Sequence, residues 1–184
     1  MQTLFVAKRP FDPSVGEGWN RYVTWSGLSQ LTEVVSLDSV LCPTVPEELT
    51  AADWDYNVQA DYLTFFFHSL DYLRTRVAGD GRLNILAVLQ NPTPTDVTAM
   101  TVPGFAFAGF DLLDIHGDIS ALTNCGGFEG VFQNAELSEL GLLTGLSRAQ
   151  QVQAALRRQY PEEHHAECHT WAIWRRRFPE PPVV

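Results

Sequence analysis

The chain has 184 residues, 45% of them apolar and 18% charged, which is typical of a globular protein and excludes a disordered one. No apolar run approaches the ~18 residues that a membrane helix needs, and the N-terminus lacks the basic and then apolar pattern of a secretory signal. We therefore expect a single globular domain over residues 1–184, cytoplasmic and without membrane contact. The three cysteines are odd in number and widely spaced, which favours reduced thiols over a disulfide scaffold.

The net charge of −10 is distributed unevenly along the chain. Residues 1–147 hold eighteen acids and six bases, whereas residues 148–184 hold four acids and six bases. Most of the surface is therefore expected to be negative, which disfavours nucleic acid as a partner and favours a basic protein. The competing interpretation is that the acids only provide solubility. Lys8 is the only lysine, so lysine-dependent phosphate loops and Schiff bases are excluded at every other position.

The N-terminal part of the chain predicts short strands and one long helix. Residues 3–8 predict an opening strand that ends at two closely spaced prolines. Aromatic and β-branched residues predict further strands over residues 21–25 and 34–41. Proline and acidic residues predict an irregular crossing over residues 44–55. The apolar residues of 58–77 follow helical spacing, which predicts a helix.

The following part of the chain predicts longer strands and an amphipathic helix. Residues 83–89 form an almost wholly apolar run, which predicts a central strand covered on both faces. Residues 105–115 predict another strand, and residues 116–118 predict a tight turn after it. A short helix is predicted over residues 136–143, and a clearer one over residues 147–160, where the apolar residues share one stripe.

The last segment of the chain is compatible with two structures. As a strand, residues 168–174 alternate between faces and have the β-branched and aromatic content that strands favour. As a helix, acids near the start and arginines near the end suit the helix dipole. We adopt the strand. A sheet of about five strands, mainly antiparallel or mixed, with about three helices packed on it predicts a single-domain α+β fold.

Residues 164–169 combine three of the five histidines with a cysteine. Neutral imidazole and thiolate are ligands that zinc prefers, and on a helix His165, Cys168 and His169 would share one face. On a strand, Cys168 and His169 would point to opposite faces, so a zinc site requires the helix that we do not adopt. The cluster also lacks the paired-cysteine spacing of known zinc sites. We expect no cofactor, with zinc as the alternative.

Cys125 is a candidate nucleophile because it lies in a glycine-rich predicted loop. A thiol there is expected to be accessible, and free backbone N–H groups would stabilise an oxyanion. A neighbouring histidine such as His169 would lower the pKa of the thiol and act as the base, oriented by Asp114 or Asp118. The alternative bases are His165 and His116. The competing interpretation is a buried cysteine that only fills space.

The function that we predict is binding to another protein. An acidic surface drawn from residues 33–71 and 96–139 would meet a basic partner, such as a nuclease toxin, in the manner of a small immunity or inhibitor protein. The acids expected to contact the partner are Asp53, Asp55, Asp61, Asp111 and Asp118. The alternatives are a hydrolase that uses Cys125 with a histidine base, a zinc-dependent hydrolase, and an assembly subunit with Trp171 and Trp174 at a self-association edge.

Overall fold

The computed structural model describes residues 2–12, 17–26, 33–59, 64–124 and 128–178. Within these ranges seven strands form one sheet, and every pairing between them is antiparallel. The strands are β1 (Leu4–Lys8), β2 (Thr44–Val45), β3 (Asn57–Gln59), β4 (Phe66–Phe67), β5 (Leu83–Gln90), β6 (Ala106–Asp114) and β7 (Cys168–Phe178). Their order is β3-β4-β1-β5-β7-β6, with β2 paired to β1.

The helices pack around this sheet and complete an α+β fold, as predicted. The α-helices of the described ranges are α1 (Glu17–Ser26), α2 (Leu70–Arg76), α3 (Pro94–Ala99) and α4 (Leu146–Gln159). Short 3-10 helices are present at Ala51–Asp55, Ala121–Thr123, Asn134–Glu136 and His164–Glu167. None of the helices in this part of the chain has the length and apolarity needed to span a membrane.

β5 is a central strand, as its apolar run predicts. It pairs with β1 on one side and with β7 on the other. Successive side chains of a strand point to opposite faces. Ile85 and Ala87 accordingly pack on the side that α2 and α4 cover, which we call the helical face. Leu86 and Val88 pack on the opposite side, which residues 33–38 cover and which we call the loop face.

α4 covers much of the helical face and confirms the helix predicted over residues 147–160. Its residues Ala149, Val152 and Leu156 are fully buried. They form one cluster with β6 and β7 residues that include Leu112 and Ala172. The apolar residues that repeat at helical spacing in the sequence are the ones that α4 buries against the sheet, so their spacing was sufficient to predict the helix.

The loop face is covered by an irregular segment, so the strand predicted over residues 34–41 is wrong. Residues 33–38 are all buried. Their backbone bonds to loops and side chains instead of a neighbouring strand: Val35 N donates to Leu140 O at 3.0 Å. At the start of the segment, Glu33 forms an ion pair with Arg175 of β7. The apolar residues of this segment are therefore buried between the sheet and the loop that contains Leu140. Their backbone groups are hydrogen-bonded without pairing to a strand.

The helix predicted over residues 58–77 is wrong for residues 58–59 and 64–69, while residues 60–63 lie outside the described residues. Among the described residues of this range, the helical ones are those of α2, which begins after Ser69, whose Oγ accepts a hydrogen bond from Tyr72 N at 3.2 Å. Phe66 and Phe67 instead form β4, where Phe67 pairs with Phe5 of β1. Pairing with a distant strand prevails here over local spacing.

Two further predicted elements are corrected by the structure. Residues 21–25 belong to α1 and not to a strand; Tyr22 is fully buried in a cluster with Val34 and Cys42. Residues 136–143 are not an α-helix but fold back beside β6, where Phe110 N donates to Leu143 O at 2.8 Å. The strand predicted over 105–115 and the turn after it are confirmed by β6 and the turn that follows.

Candidate functional site

Two exposed aromatic side chains lie next to α2, at the edge of the sheet that ends in β3. Trp54, in the 3-10 helix Ala51–Asp55, is 60% exposed, and Tyr56 is 40% exposed. The Tyr56 ring stacks on Tyr72 of α2, with ring centroids 3.9 Å apart and planes 12° apart. Large exposed aromatic rings in a fixed position are characteristic of the centres of protein interfaces. We call Trp54, Tyr56 and the exposed acids Glu47, Glu48, Asp55 and Asp71 the Trp54 surface.

On the buried side of this 3-10 helix, the carboxylate of Asp53 joins it to α2 by hydrogen bonds. Its fully buried carboxylate accepts hydrogen bonds from Thr50 Oγ1 at 2.8 Å, Tyr72 OH at 2.8 Å and Arg76 Nε at 3.0 Å. Burial by itself raises the pKa of Asp53, but the hydrogen bonds from Thr50, Tyr72 and Arg76 outweigh it and hold the pKa below its ordinary value. Contrary to the prediction, this carboxylate lies in the interior and cannot contact a partner.

The acids of the Trp54 surface are only partly neutralised by neighbouring arginines. Arg9 forms ion pairs with Glu47 and Asp80, each at 3.3 Å. Arg76 points inward to Asp53, and its Nη2 donates to the backbone oxygen of Glu48 at 3.0 Å. Among the described residues, the carboxylates of Glu48 and Asp55 have no ion-pair partner. The exposed aromatic rings are therefore bordered by negative charge.

The other acids that the sequence predicts at an interface lie elsewhere. Asp111 is fully buried on the loop face, where it accepts hydrogen bonds from Ser36 Oγ and Leu37 N, each at 2.8 Å. Burial raises the pKa of Asp111. This residue, like Asp53, is structural and inaccessible to a partner, contrary to the prediction. Asp118 is half-buried in the turn after β6, and Asp61 lies outside the described residues.

Lys8 lies close to Asp111 and is saturated by hydrogen bonds. Its buried Nζ, which has three N–H groups, lies within hydrogen-bond distance of four acceptors: Leu37 O at 2.6 Å, Thr44 Oγ1 at 2.9 Å, Thr64 Oγ1 at 3.0 Å and Ser39 Oγ at 3.1 Å. Burial lowers the pKa of Lys8 to about 8. We call Lys8, Asp111 and the residues bonded to them the polar core. It holds residues 36–39 against the sheet, and its groups are occupied by one another.

The histidine and cysteine cluster is divided between two faces of the sheet. Cys168 begins β7, which confirms the predicted strand, and lies buried in the helical-face cluster, where burial raises the pKa of its thiol to about 12. His169 points to the opposite face, and its Nδ1 is 3.0 Å from Asn91 Nδ2. Across the described residues, no three His, Cys, Asp or Glu side chains converge in a way that could hold a metal. The shared helix face that the zinc hypothesis requires is not formed.

The predicted pairing of His169 with Asp114 is not formed either. Asp114 lies opposite Cys168 in the register of β6 and β7, so it shares the face of Cys168 and points away from His169. Its Oδ1 accepts hydrogen bonds from Asp118 N at 2.9 Å and from Ile119 N at 3.4 Å. Cys125, the predicted nucleophile, lies outside the described residues.

His165 is the histidine whose surroundings are most unusual. It is only 8% exposed, and its ring lies edge-on to Phe128, with centroids 5.1 Å apart. Neither ring nitrogen has a hydrogen-bond partner in the part of the chain that the structure describes. Burial lowers the pKa of His165, whereas the charge of Asp114 opposes this effect. A buried, unpaired imidazole is rare in folded proteins and is often connected with chemistry or ligand binding.

Trp54 and Tyr56 are the candidate functional residues that the sequence analysis missed. The available signal was the pattern Asp53-Trp54-Asp55, because a tryptophan between two acids is poorly suited to a continuous core.

Function has to be argued from such local sites, since a fold alone does not specify it. Comparison of the chain with protein-family models, curated proteins and solved structures finds no match.

Proposed function

We propose that this protein binds another protein, and that its partner presents a basic and partly apolar face to the Trp54 surface. The observation that carries the proposal is the 60% exposure of Trp54 on a 3-10 helix that Asp53 fixes from beneath. Tryptophan and tyrosine supply most of the binding energy in many interfaces when they are buried at the centre of the contact. Trp54 and Tyr56 are the anchors in this proposal.

The fixed geometry of the Trp54 surface supports the same function. Tyr56 is held by its stacking on Tyr72, and the hydroxyl of Tyr72 is bound by Asp53. A surface that is ordered before binding loses less conformational entropy when the partner arrives. Rigid aromatic anchors therefore favour a specific complex.

The acids around the anchors determine the chemistry of the partner. Carboxylates at the rim attract a basic surface over several ångströms, which accelerates association and makes it sensitive to salt. Glu48 and Asp55 are the best placed for this role, because no ion pair within the described residues neutralises them. An immunity or inhibitor protein that blocks a basic nuclease is the type of function that this chemistry suits, by analogy of charge and size alone.

We expect Trp54→Ala to weaken binding to such a partner at least about thirtyfold, because the central ring of the contact is removed. The wild-type chain and the variant are used in parallel to capture partners, and the basic proteins retained only by the wild type are purified. Calorimetric titration of each purified protein then gives the affinity for both forms.

Asp55→Asn should slow association, with a smaller slowing at high salt than at low salt.

The matched control is Phe107→Ala, which removes a 43% exposed ring from β6 at the opposite end of the sheet. It should leave the affinity within about twofold of the wild type. Thermal unfolding of each variant verifies that the fold is intact. Equal affinities of the wild type and Trp54→Ala for every purified partner would contradict the proposal.

A thiol hydrolase is the second candidate function, and the unpaired imidazole of His165 is the observation that favours it. Cys125 precedes Phe128 by three residues, and Phe128 contacts the His165 ring. In this proposal a nitrogen of His165 takes the proton of the Cys125 thiol, and the thiolate attacks an acyl carbon and expels an amine or alcohol, to which His165 returns the proton. Water then cleaves the thioester and restores the thiol. His165 replaces His169 as the base because the His165 ring contacts Phe128, whereas Nδ1 of His169 is bonded to Asn91.

Alkylation kinetics test this second candidate directly. Cys42 and Cys168 are buried and burial raises the pKa of each to about 12, so both should remain unmodified and serve as internal controls. We expect Cys125 to react with iodoacetamide at pH 6 faster than a free cysteine peptide, and His165→Phe to slow this reaction about tenfold. The reaction is followed by mass spectrometry of the peptides. A rate equal to that of the free peptide argues against the hydrolase.

A further inference from the structure

An open cleft lies beside β6, where the end of α1 faces residues 128–134. Its volume is about 500 Å³, and the lining residues that matter here are Trp25, Phe128, Phe132, Glu129, Gln133 and Asn134. We call it the Trp25 cleft. It is distinct from the Trp54 surface. Phe128 and Phe132 pack with β6 residues such as Leu112, whereas the 3-10 helix of Trp54 contacts β3, at the other end of the sheet.

The aromatic wall of the cleft is held in place by defined contacts. Trp25 and Phe132 meet edge to face, with ring centroids 5.8 Å apart. Asn134 Nδ2 donates to Trp25 O at 3.1 Å, which ties the end of α1 to the 3-10 helix Asn134–Glu136. Tyr160 OH donates to Glu129 O at 3.0 Å and fixes the backbone of the opposite wall. The cleft is therefore formed before any ligand binds.

Two polar groups of the cleft, the Glu129 carboxylate and Asn134 Oδ1, are acceptors that could bind a cation. The exposed carboxylate of Glu129 has no ion-pair partner among the described residues. Because Asn134 Nδ2 is already bonded to Trp25 O, its Oδ1 is the atom that is left to accept a hydrogen bond. Arg148, the arginine bound next to this segment, is occupied by Glu136 and by Val131 O, to which its Nη2 donates at 2.8 Å.

We propose that the Trp25 cleft binds a guanidinium group, carried by free arginine or by an arginine side chain of a peptide. A planar cation stacks on an aromatic ring while its N–H groups donate to a carboxylate and an amide oxygen. Trp25, Glu129 and Asn134 provide this combination. A quaternary ammonium group would use the aromatic wall and leave the acceptors unpaired, so the guanidinium fits the cleft better.

Titration with N-acetyl-arginine amide, followed by amide NMR signals, tests the proposal. We expect the signals of Gly130, Gln133 and Asn134 to shift in a saturable manner. The neutral isostere N-acetyl-citrulline amide should bind at least about tenfold more weakly, because the charge-assisted hydrogen bonds to Glu129 are lost. Free arginine and an arginine-containing tripeptide are titrated in parallel; the tighter of the two identifies the source of the group.

Glu129→Gln should weaken the binding of N-acetyl-arginine amide about tenfold, since it removes the charge and keeps the shape. The matched control is Glu139→Gln, which neutralises an exposed acid outside the cleft and should leave the affinity unchanged. Equal binding of the arginine and citrulline compounds, or equal affinity of Glu129→Gln and the wild type, would overturn the assignment. So would the absence of saturable shifts.

Discussion

Asp111→Ala is expected to lower the free energy of unfolding by about 4 kcal/mol. The buried carboxylate is the common acceptor for Ser36 Oγ, Leu37 N, Leu112 N and Ser120 Oγ. Alanine would leave these donors without a partner in the interior, and each unpaired buried group costs about 1–3 kcal/mol. The segment that covers the loop face would also lose its attachment to β6.

Urea unfolding followed by circular dichroism measures this loss. Asp111→Asn keeps one acceptor oxygen, so we expect it to lose less stability than the alanine variant. Asp71→Ala is the matched control, because the side chain of Asp71 is 93% exposed and its change should remain within about 0.5 kcal/mol. If Asp111→Ala unfolds at the same urea concentration as the wild type, Asp111 does not have the structural role described.

Lys8→Met is the second large effect, with an expected loss of about 3 kcal/mol at pH 7. Methionine fills similar space but donates no hydrogen bonds, so Leu37 O would keep only the longer bond from Thr64 Oγ1, at 3.3 Å. The hydroxyls around Lys8 would keep only their bonds to one another. Asp38 and Asp111 would also lose a buried cation that interacts electrostatically with both. Arg158→Met is the control, because it removes an exposed cation from α4 and should cost less than about 0.5 kcal/mol.

The loss caused by Lys8→Met should grow with pH. Burial lowers the pKa of Lys8 from 10.5 to about 8, so between these values the unfolded chain binds the proton and the folded chain does not. The free energy of unfolding of the wild type therefore gains a Lys8 contribution as pH rises, about 2 kcal/mol between pH 7 and pH 9.5. The variant lacks this gain. A difference between the two proteins that stays constant over this range would contradict the assigned burial of a charged Lys8.

The sequence predicts those elements of the fold in which local pattern and final burial coincide. In β5 the continuous apolar run matches a strand with both faces covered, and in α4 the apolar stripe is the buried one. The pattern fails where distant partners decide the structure. Residues 34–41 alternate like a strand but are held by Asp111 and Leu140, and β4 forms because β1 lies beside it.

The candidate site could be predicted only in its general chemistry. Acidic residues are mostly exposed in proteins, so Asp53 and Asp111 were reasonable candidates for an acidic interface. Each is instead buried by donors that lie far away in the sequence, such as Arg76 for Asp53 and Leu37 for Asp111. Asp55, two residues from Asp53, is exposed. Whether an acid faces inward depends on such distant donors, and neither composition nor spacing reveals them.

The only lysine in these 184 residues is buried, so chemical modification of its side chain measures how often the structure around it opens. An amine-reactive reagent can modify the Lys8 side chain only after β1 and residues 36–39 separate, since the amine is enclosed between them. The rate of modification then follows the population of the open state, as the rate of amide hydrogen exchange does. The mass increment located at the Lys8 side chain would thus give the opening free energy of the loop face, without an engineered probe.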